Sequence, residues 1–218
     1  MQHLLLETQI TMTESQLKIQ SSCLIRDNQA FLNGEMVFTN EDGKVGKAFL
    51  KSLYRHLKPG HSKFFKMDSL SKLGYLASEL LLKNVDLSSY DAENMSVILS
   101  NSDSTLDIDS EHQDMICDYN KFYPSPSVFV YTLPNIMIGE ISIKHGMRGE
   151  NAFYIVEKFT PELIVDHINS LFLKHKSKLF VGGWVNSKND EYEAFLYVAS
   201  PHRGKPHNKI EIMKLYNT

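Results

Sequence analysis

A chain of 218 residues with 42% hydrophobic content is long enough to form one globular domain, 1–218, that buries a core without disulfide or metal staples. A net charge of only -3 argues against a nucleic-acid partner, and two cysteines, Cys23 and Cys117, are too few for a disulfide framework and suit a reducing, cytoplasmic setting. The opening MQHLLLETQITM has no basic flank and does not read as a signal peptide, and no apolar run nears the ~20 residues of a membrane span.

Residues 17–25 (LKIQSSCLI) alternate apolar and polar for several positions and predict a strand. Asn33-Gly34 ahead of EMVF predicts a tight turn and a small amino-terminal hairpin. Residues 45–57 predict a helix whose apolar face is Phe49, Leu50, Leu53, Tyr54 and Leu57, stopped by Pro59-Gly60. Asp68 is a good N-cap for a second helix reaching Lys83, with Leu70, Leu73, Leu76 and Leu80 at helical spacing. SVILS (96–100) predicts a buried strand. Residues 110–121 and 135–145 predict helices, the second opening after Pro134, and YIV (154–156) a brief strand. Pro161 suits the first turn of a helix to Lys174. KLFVGGW (178–184) predicts a strand that ends in a Gly-Gly turn. EAFLYVA (193–199) and KIEIMKLY (209–216) predict a closing strand pair around a 200–208 loop. Strands and helices alternate through the middle, so the expected fold is α/β, a mixed β-sheet flanked by helices.

Charge is unevenly placed. Between 44 and 67 the chain has seven Lys/Arg and no acid, whereas between 84 and 120 it has nine acids and no Lys or Arg. On a helix Lys44, Lys47, Lys51, Arg55 and Lys58 form one stripe opposite the apolar face, which is either a solvated face or a docking face for an acidic protein. Other motifs dissolve on inspection. GKVGKAF (43–49) lacks the spacing of a phosphate loop. DIDSEHQDMICD (107–118) has acids at calcium-loop positions, but His112 stands where the turn needs glycine, so an acidic loop leading into a helix is the simpler account. The histidine pairs His202/His207 and His167/His175 lack a third ligand, and neither a metal nor a cofactor is expected.

FFKMDSLSKLGYLASELLL (64–82) resembles a helix of the β-ketoacyl-[acyl-carrier-protein] synthases, or ketosynthases, and SVILSNSD (96–103) resembles their next strand and loop. SPSVFVYTLPNIMIGEISIKHGMRGEN (125–151) is similar to the family run that leads to the nucleophile strand. Its matching positions are Pro134, Asn135, Gly139, Gly146, Arg148, Gly149 and Asn151, with Glu150 in place of a proline. KLFVGGW is similar to the strand after the nucleophile helix, so the family-like core spans 64–184. The resemblance implies a thiolase-like half-domain, the amino-terminal half of a ketosynthase, carrying an extra amino-terminal hairpin and a carboxy-terminal strand pair. A half normally packs on its duplicate, so an apolar face is expected to be covered by extra strands, a second copy or a partner.

The family's nucleophile is a cysteine at the mouth of the helix after that strand, and its place here falls near Glu157 and Lys158, within two residues. The sequence there, AFYIVEKFTPEL, has no cysteine or serine; Thr160 is the nearest hydroxyl, and Cys117 lies well before it. The family's second half, which supplies the condensing histidines, is not matched by any segment of this chain. The resemblance therefore implies a non-condensing accessory protein in fatty-acid-like or aryl-polyene/pigment assembly. Its partners would be an acidic acyl carrier protein docked on Lys47, Lys51, Arg55 and Lys58, a complete ketosynthase, or a second copy, with no nucleic acid and no membrane. The alternative is an acyltransferase or thioesterase using Thr160 or Cys117 with a nearby histidine or Glu157.

Overall fold

The computed structural model describes residues 16–39, 43, 45–117 and 123–218. Its sheet is built around three strands: β4 (Met95–Asn101), β6 (Leu179–Lys188) and β7 (Glu191–Ser200). All seven residues of β4 are buried, because this strand carries helices on both faces, and such strands read as continuous rather than alternating apolar runs. With β1 (Lys18–Arg26), β2 (Gln29–Leu32), β3 (Glu35–Thr39) and β5 (Asn151–Ile155), the strand order is β3-β2-β1-β7-β6-β4-β5, and the two-residue β8 (Lys205–Pro206) pairs with the start of β1. In the segment β5-β4-β6-β7-β1 only β7 runs against the others.

Three two-residue turns fix the hairpin registers. Asp27-Asn28, Asn33-Gly34 and Asn189-Asp190 all have positive φ at both positions, the geometry whose twist matches paired strands. The amino-terminal hairpin is thus a three-stranded meander, β1 serving both it and β7.

Helices α1 (Gly46–Leu57), α2 (Ser69–Leu82) and α5 (Ile136–His145) cover one face, against Ile25, Val97, Leu99, Val181, Leu196 and Val198. Helices α6 (Pro161–Leu173) and α7 (Lys209–Tyr216) cover the other, against Ile19, Ile98, Phe180, Trp184, Phe195 and Tyr197. The period of two along β7 divides Leu196 and Val198 from Phe195 and Tyr197 in this way. Asp68 caps α2 as its sequence predicts, accepting from the backbone N–H groups of Leu70 and Ser71. The remaining helices, α3 (Leu106–Ile116) and α4 (Pro126–Tyr131), pack on each other at the carboxyl end of β4.

Three expectations are corrected. KIEIMKLY (209–216) is α7, not a strand: Asn208 accepts from the Glu211 N–H, and Ile212, Leu215 and Tyr216 meet the second core at helical spacing while Ile210 faces water. The closing strand pair is β6–β7 instead. Gly182-Gly183 do not end a strand but lie inside β6, where a Cβ on Gly182 would come within 2.6 Å of the Tyr197 ring. Residues 107–116 belong to α3, whose first turn takes Asp107 and Asp109, so the acids stand on the helix rather than on a loop before it; 118–121 lie outside the described residues. Among the described residues no helix is long and apolar enough to cross a membrane.

Candidate functional site

Strands β1, β4, β5 and β6 end at one edge of the sheet, the edge where ligands of open α/β sheets collect. A cleft of about 570 Å³ opens there between the ends of β1 and β6, the start of α1 and the β6–β7 hairpin. Among the described residues its lining contains Arg26, Asp103, Trp184, Asn186, Lys188, Tyr192 and Glu193 and no cysteine, serine or histidine. Asp103 is held by Lys188 at 2.6 Å, by the Asn186 amide at 2.8 Å and by the Ser102 hydroxyl at 2.7 Å. The Lys188 bond, then those of Asn186 and Ser102, lower its pKa to about 2, so it is a fixed carboxylate and no proton carrier at neutral pH.

The β5–α6 turn reaches the same edge, with the Val156 N–H donating to the carbonyl of Asn101, the last residue of β4. Glu157 and Lys158 point into solvent on this turn. Helix α6 starts at Pro161 with Thr160 as N-cap, and the residue before the cap is Phe159. Phe159 is 8% exposed and fills the mouth of the helix, with ring centroids 4.8 Å from Tyr216, 5.7 Å from Phe195 and 6.1 Å from Trp184. Tyr216 is locked in turn: its hydroxyl donates to Glu193 at 2.6 Å, its carbonyl accepts from Arg26 at 2.8 Å, and the guanidinium lies 4.8 Å from its ring centre. Arg26 pairs with Glu193 at 2.7 Å. The position that the resemblance reserves for a thiolate is thus bordered by an aromatic plug and an ion-paired latch.

The alternative nucleophiles are elsewhere or occupied. The Thr160 hydroxyl donates to the Lys158 carbonyl at 3.0 Å. Cys117 is exposed at the carboxyl end of α3, its thiol directed to the Asp114 carbonyl at 3.6 Å. Cys23 is buried, and burial pushes its thiol far above the ordinary range. His207, which is buried, and His145, which is mostly enclosed, are both brought down to about 4 by desolvation, His145 also by Lys144, and so are neutral at pH 7. His207 bridges the Asn169 side-chain oxygen (3.3 Å) and the Tyr197 hydroxyl (3.2 Å), a satisfied core histidine. His145 lies against Ser78 and Glu79 between α2 and α5.

The family-motif positions set the backbone. Asn135 opens α5 and Gly146 closes it. The Arg148 N–H donates to the Ala92 carbonyl and the Gly149 N–H to that of Met95, which lays Asn151 and the rest of β5 beside β4. No side chain fits at 149, where a Cβ would lie 2.6 Å from the Met95 carbonyl oxygen. The Arg148 side chain pairs with Glu93, both mostly exposed, a pair of little energetic weight.

Helix α1 presents Lys47, Lys51 and Arg55 outward, with Lys58 exposed at its left-handed C-cap just past the helix, and buries Phe49, Leu50 and Leu53. Lys44 lies outside the described residues. Sequence reading misses Lys72, which α2 brings up to the stripe; its pKa is lowered by burial first and then by the charges of Lys51 and Lys47, with Asp68 and Glu111 acting the other way. It also misses Phe159, one residue beyond the charged pair on which the count settles, and Phe65, 56% exposed beside the stripe.

No protein-family model matches the chain, and no curated protein matches it. Solved structures do. The ishigamide ketosynthase/chain length factor aligns at a TM-score of 0.57 and 15% identity, over 84% of this chain and 62% of that one. A complex of type II acyl-carrier protein AntF with its ketosynthase AntDE, bound to the hexaketide, gives 0.60 and 10%, over 91% and 64%. The ketosynthase ApeO in complex with its chain length factor ApeC, from Xenorhabdus doucetiae, gives 0.55 and 10%, over 92% of this chain and 90% of the matched one. This chain therefore spans under two thirds of the first two matched chains but nearly all of the third. At these identities the likeness establishes the fold: a thiolase-like, ketosynthase-type α/β sheet.

Proposed function

We propose that this chain is a non-condensing, ketosynthase-like accessory subunit of an acyl-carrier-protein-dependent pathway of the fatty-acid-like or aryl-polyene type. It acts by binding a carrier protein or a complete ketosynthase. The observation that carries the reading is the mouth of α6, where Phe159 packs into the Trp184–Phe195–Tyr216 cluster and no thiol is present. A plug of this kind keeps the architecture and gives up the thiolate chemistry that the helix dipole would serve.

Two further features support the partner arms. Strand β5 is an edge strand that pairs only with β4 among the described residues, and its Ile155 is 56% exposed; such an edge is a template for another chain. The α1 cations suit the acidic surface of a carrier protein. The fold neighbours include ketosynthases recorded with a chain length factor and with an acyl-carrier protein.

Reconstitution tests the reading. Added to a type II ketosynthase and its loaded carrier protein, the chain is expected to bind the assembly and alter product length or yield while forming no product alone. Condensation by the chain alone, or acyl transfer to Cys117 or Thr160, would replace it with the enzyme alternative.

A further inference from the structure

The edge of the sheet away from the α6 mouth carries a second cleft, of about 350 Å³, at the start of β1. β1 opens with Gln20, Ser21 and Ser22 where a strand covered on both faces would be apolar throughout, and its pairing with β7 slips between Ile19 and Ser21. The bulge makes Gln20 the extra residue, and its amide donates to the Ser200 hydroxyl at 2.6 Å. Beyond the bulge the period of two puts Ser21 on the face of Cys23 and Ile25, the face that α2 covers. The chain leaving α2 closes the cleft. Asn84 and Asp86 stand there, followed by Tyr90, whose ring meets that of His202 beyond β7 at 5.9 Å. Asn33 joins from the β2–β3 turn; its side-chain oxygen accepts from the Ser22 N–H at 2.9 Å, which leaves its NH2 group as a donor.

Among the described residues the lining has no Lys or Arg, so nothing in it answers an anion. Val85 is its one aliphatic side chain, too little to receive an acyl chain. Its one carboxylate, Asp86, accepts from the Ser88 and Ser89 hydroxyls, which hold it below the usual carboxylate range, and a single carboxylate is a poor host for a divalent cation. What remains are amides, hydroxyls and two rings, the groups that suit an uncharged molecule rich in hydroxyls. The Tyr90 hydroxyl is buried with no hydrogen-bond partner among the described residues, a state that polar groups rarely keep. The Tyr90 and His202 rings stand 68° apart and form a corner rather than a flat slot, so a planar base is poorly served.

We propose that this cleft is a binding site for a neutral pyranose sugar. Neighbouring hydroxyls of the sugar meet the Asn84 amide and the Asp86 carboxylate, the Asn33 amide adds a donor, and the C–H face of the sugar ring lies against Tyr90, where the negative face of the aromatic ring attracts it. The site stands on the edge of the sheet opposite the α6 mouth. The inference therefore goes beyond the accessory reading and does not depend on it.

The test follows the backbone amide resonances of the full chain during titration with D-glucose, D-galactose, D-mannose and N-acetyl-D-glucosamine, with glycerol and adenosine as controls. At least one of the sugars is expected to shift the Ser21, Asn84 and Tyr90 amides along a saturating curve. Asn84→Ala is expected to weaken that binding about fivefold, the loss of one ordinary hydrogen bond. The same variant should unfold at the wild-type temperature, because Asn84 is exposed. No saturating shift with any of these sugars overturns the site, and so does equal binding by wild type and Asn84→Ala. Glycerol moving the same amides as far as every sugar reduces the cleft to a surface wetted by any polyol and overturns it too. Tighter binding of adenosine than of every sugar overturns the choice of ligand.

Discussion

His207, buried, and His145, mostly enclosed, are held as neutral rings, and their cost appears only when acid offers them a proton. Their folded pKa values lie near 4, against an ordinary value of 6.5. As pH falls through that interval the unfolded chain takes up protons that the folded chain refuses, so stability falls from about pH 6.5 down to about pH 4. The linkage is on the order of 3 kcal/mol for each ring at full effect. Asp103 acts in a lower window: its folded pKa is depressed to about 2, so its contribution is complete above about pH 4 and disappears only below that. Urea unfolding followed from pH 7 to pH 4 should therefore show a falling midpoint, and His207→Gln, which cannot take up the proton, should remove about half of the fall. A wild-type slope in that variant would mean the buried rings do not govern the acid limb. At this scale some of the site is legible in the sequence. Asp68 and Pro161 announce their helices through local rules. The latch of Arg26, Glu193 and Tyr216 is not legible, since its members are brought together by the sheet from opposite ends of the chain.

Elements were readable where one periodicity dominates. The α1 and α2 faces, β4 and β7 follow directly from apolar spacing. KIEIMKLY misleads because Ile210 and Ile212 alternate like a strand, while the helical set Ile212, Leu215 and Tyr216 becomes decisive only once a core exists to receive it. Gly182-Gly183 mislead because glycine pairs usually mark turns, and here they make room for an aromatic ring on the neighbouring strand. The α1 stripe is an element-scale claim with its own test. Neutralising Lys47, Lys51 and Arg55 together should weaken carrier-protein binding about tenfold at low salt and flatten its dependence on ionic strength, with little loss of fold because all three are exposed. Titration of the triple variant at several salt concentrations checks this; unchanged binding would remove the stripe from the account.

On the scale of the molecule, a three-layer α/β/α arrangement in which β7 alone is reversed within the segment β5-β4-β6-β7-β1 matches ketosynthase-type folds at 10–15% identity, below the level at which composition or single motifs carry the resemblance. Ordered motifs from 64 to 184 made the fold legible, because Asn135, Gly146 and Gly149 occupy backbone positions that the architecture needs. An apolar face is expected from the sequence to be covered by extra strands, a second copy or a partner; the face that carries the second core is partly covered by α7, with Leu173 and Ile210 still exposed. Fold does not dictate chemistry, and the case for a non-condensing subunit rests on what fills the mouth of α6. Native mass spectrometry of the chain mixed with an acyl-loaded carrier protein and a complete ketosynthase tests that claim most directly. The account predicts a complex in which the mass of this subunit is unchanged. A gain on this chain equal to the acyl group would contradict it.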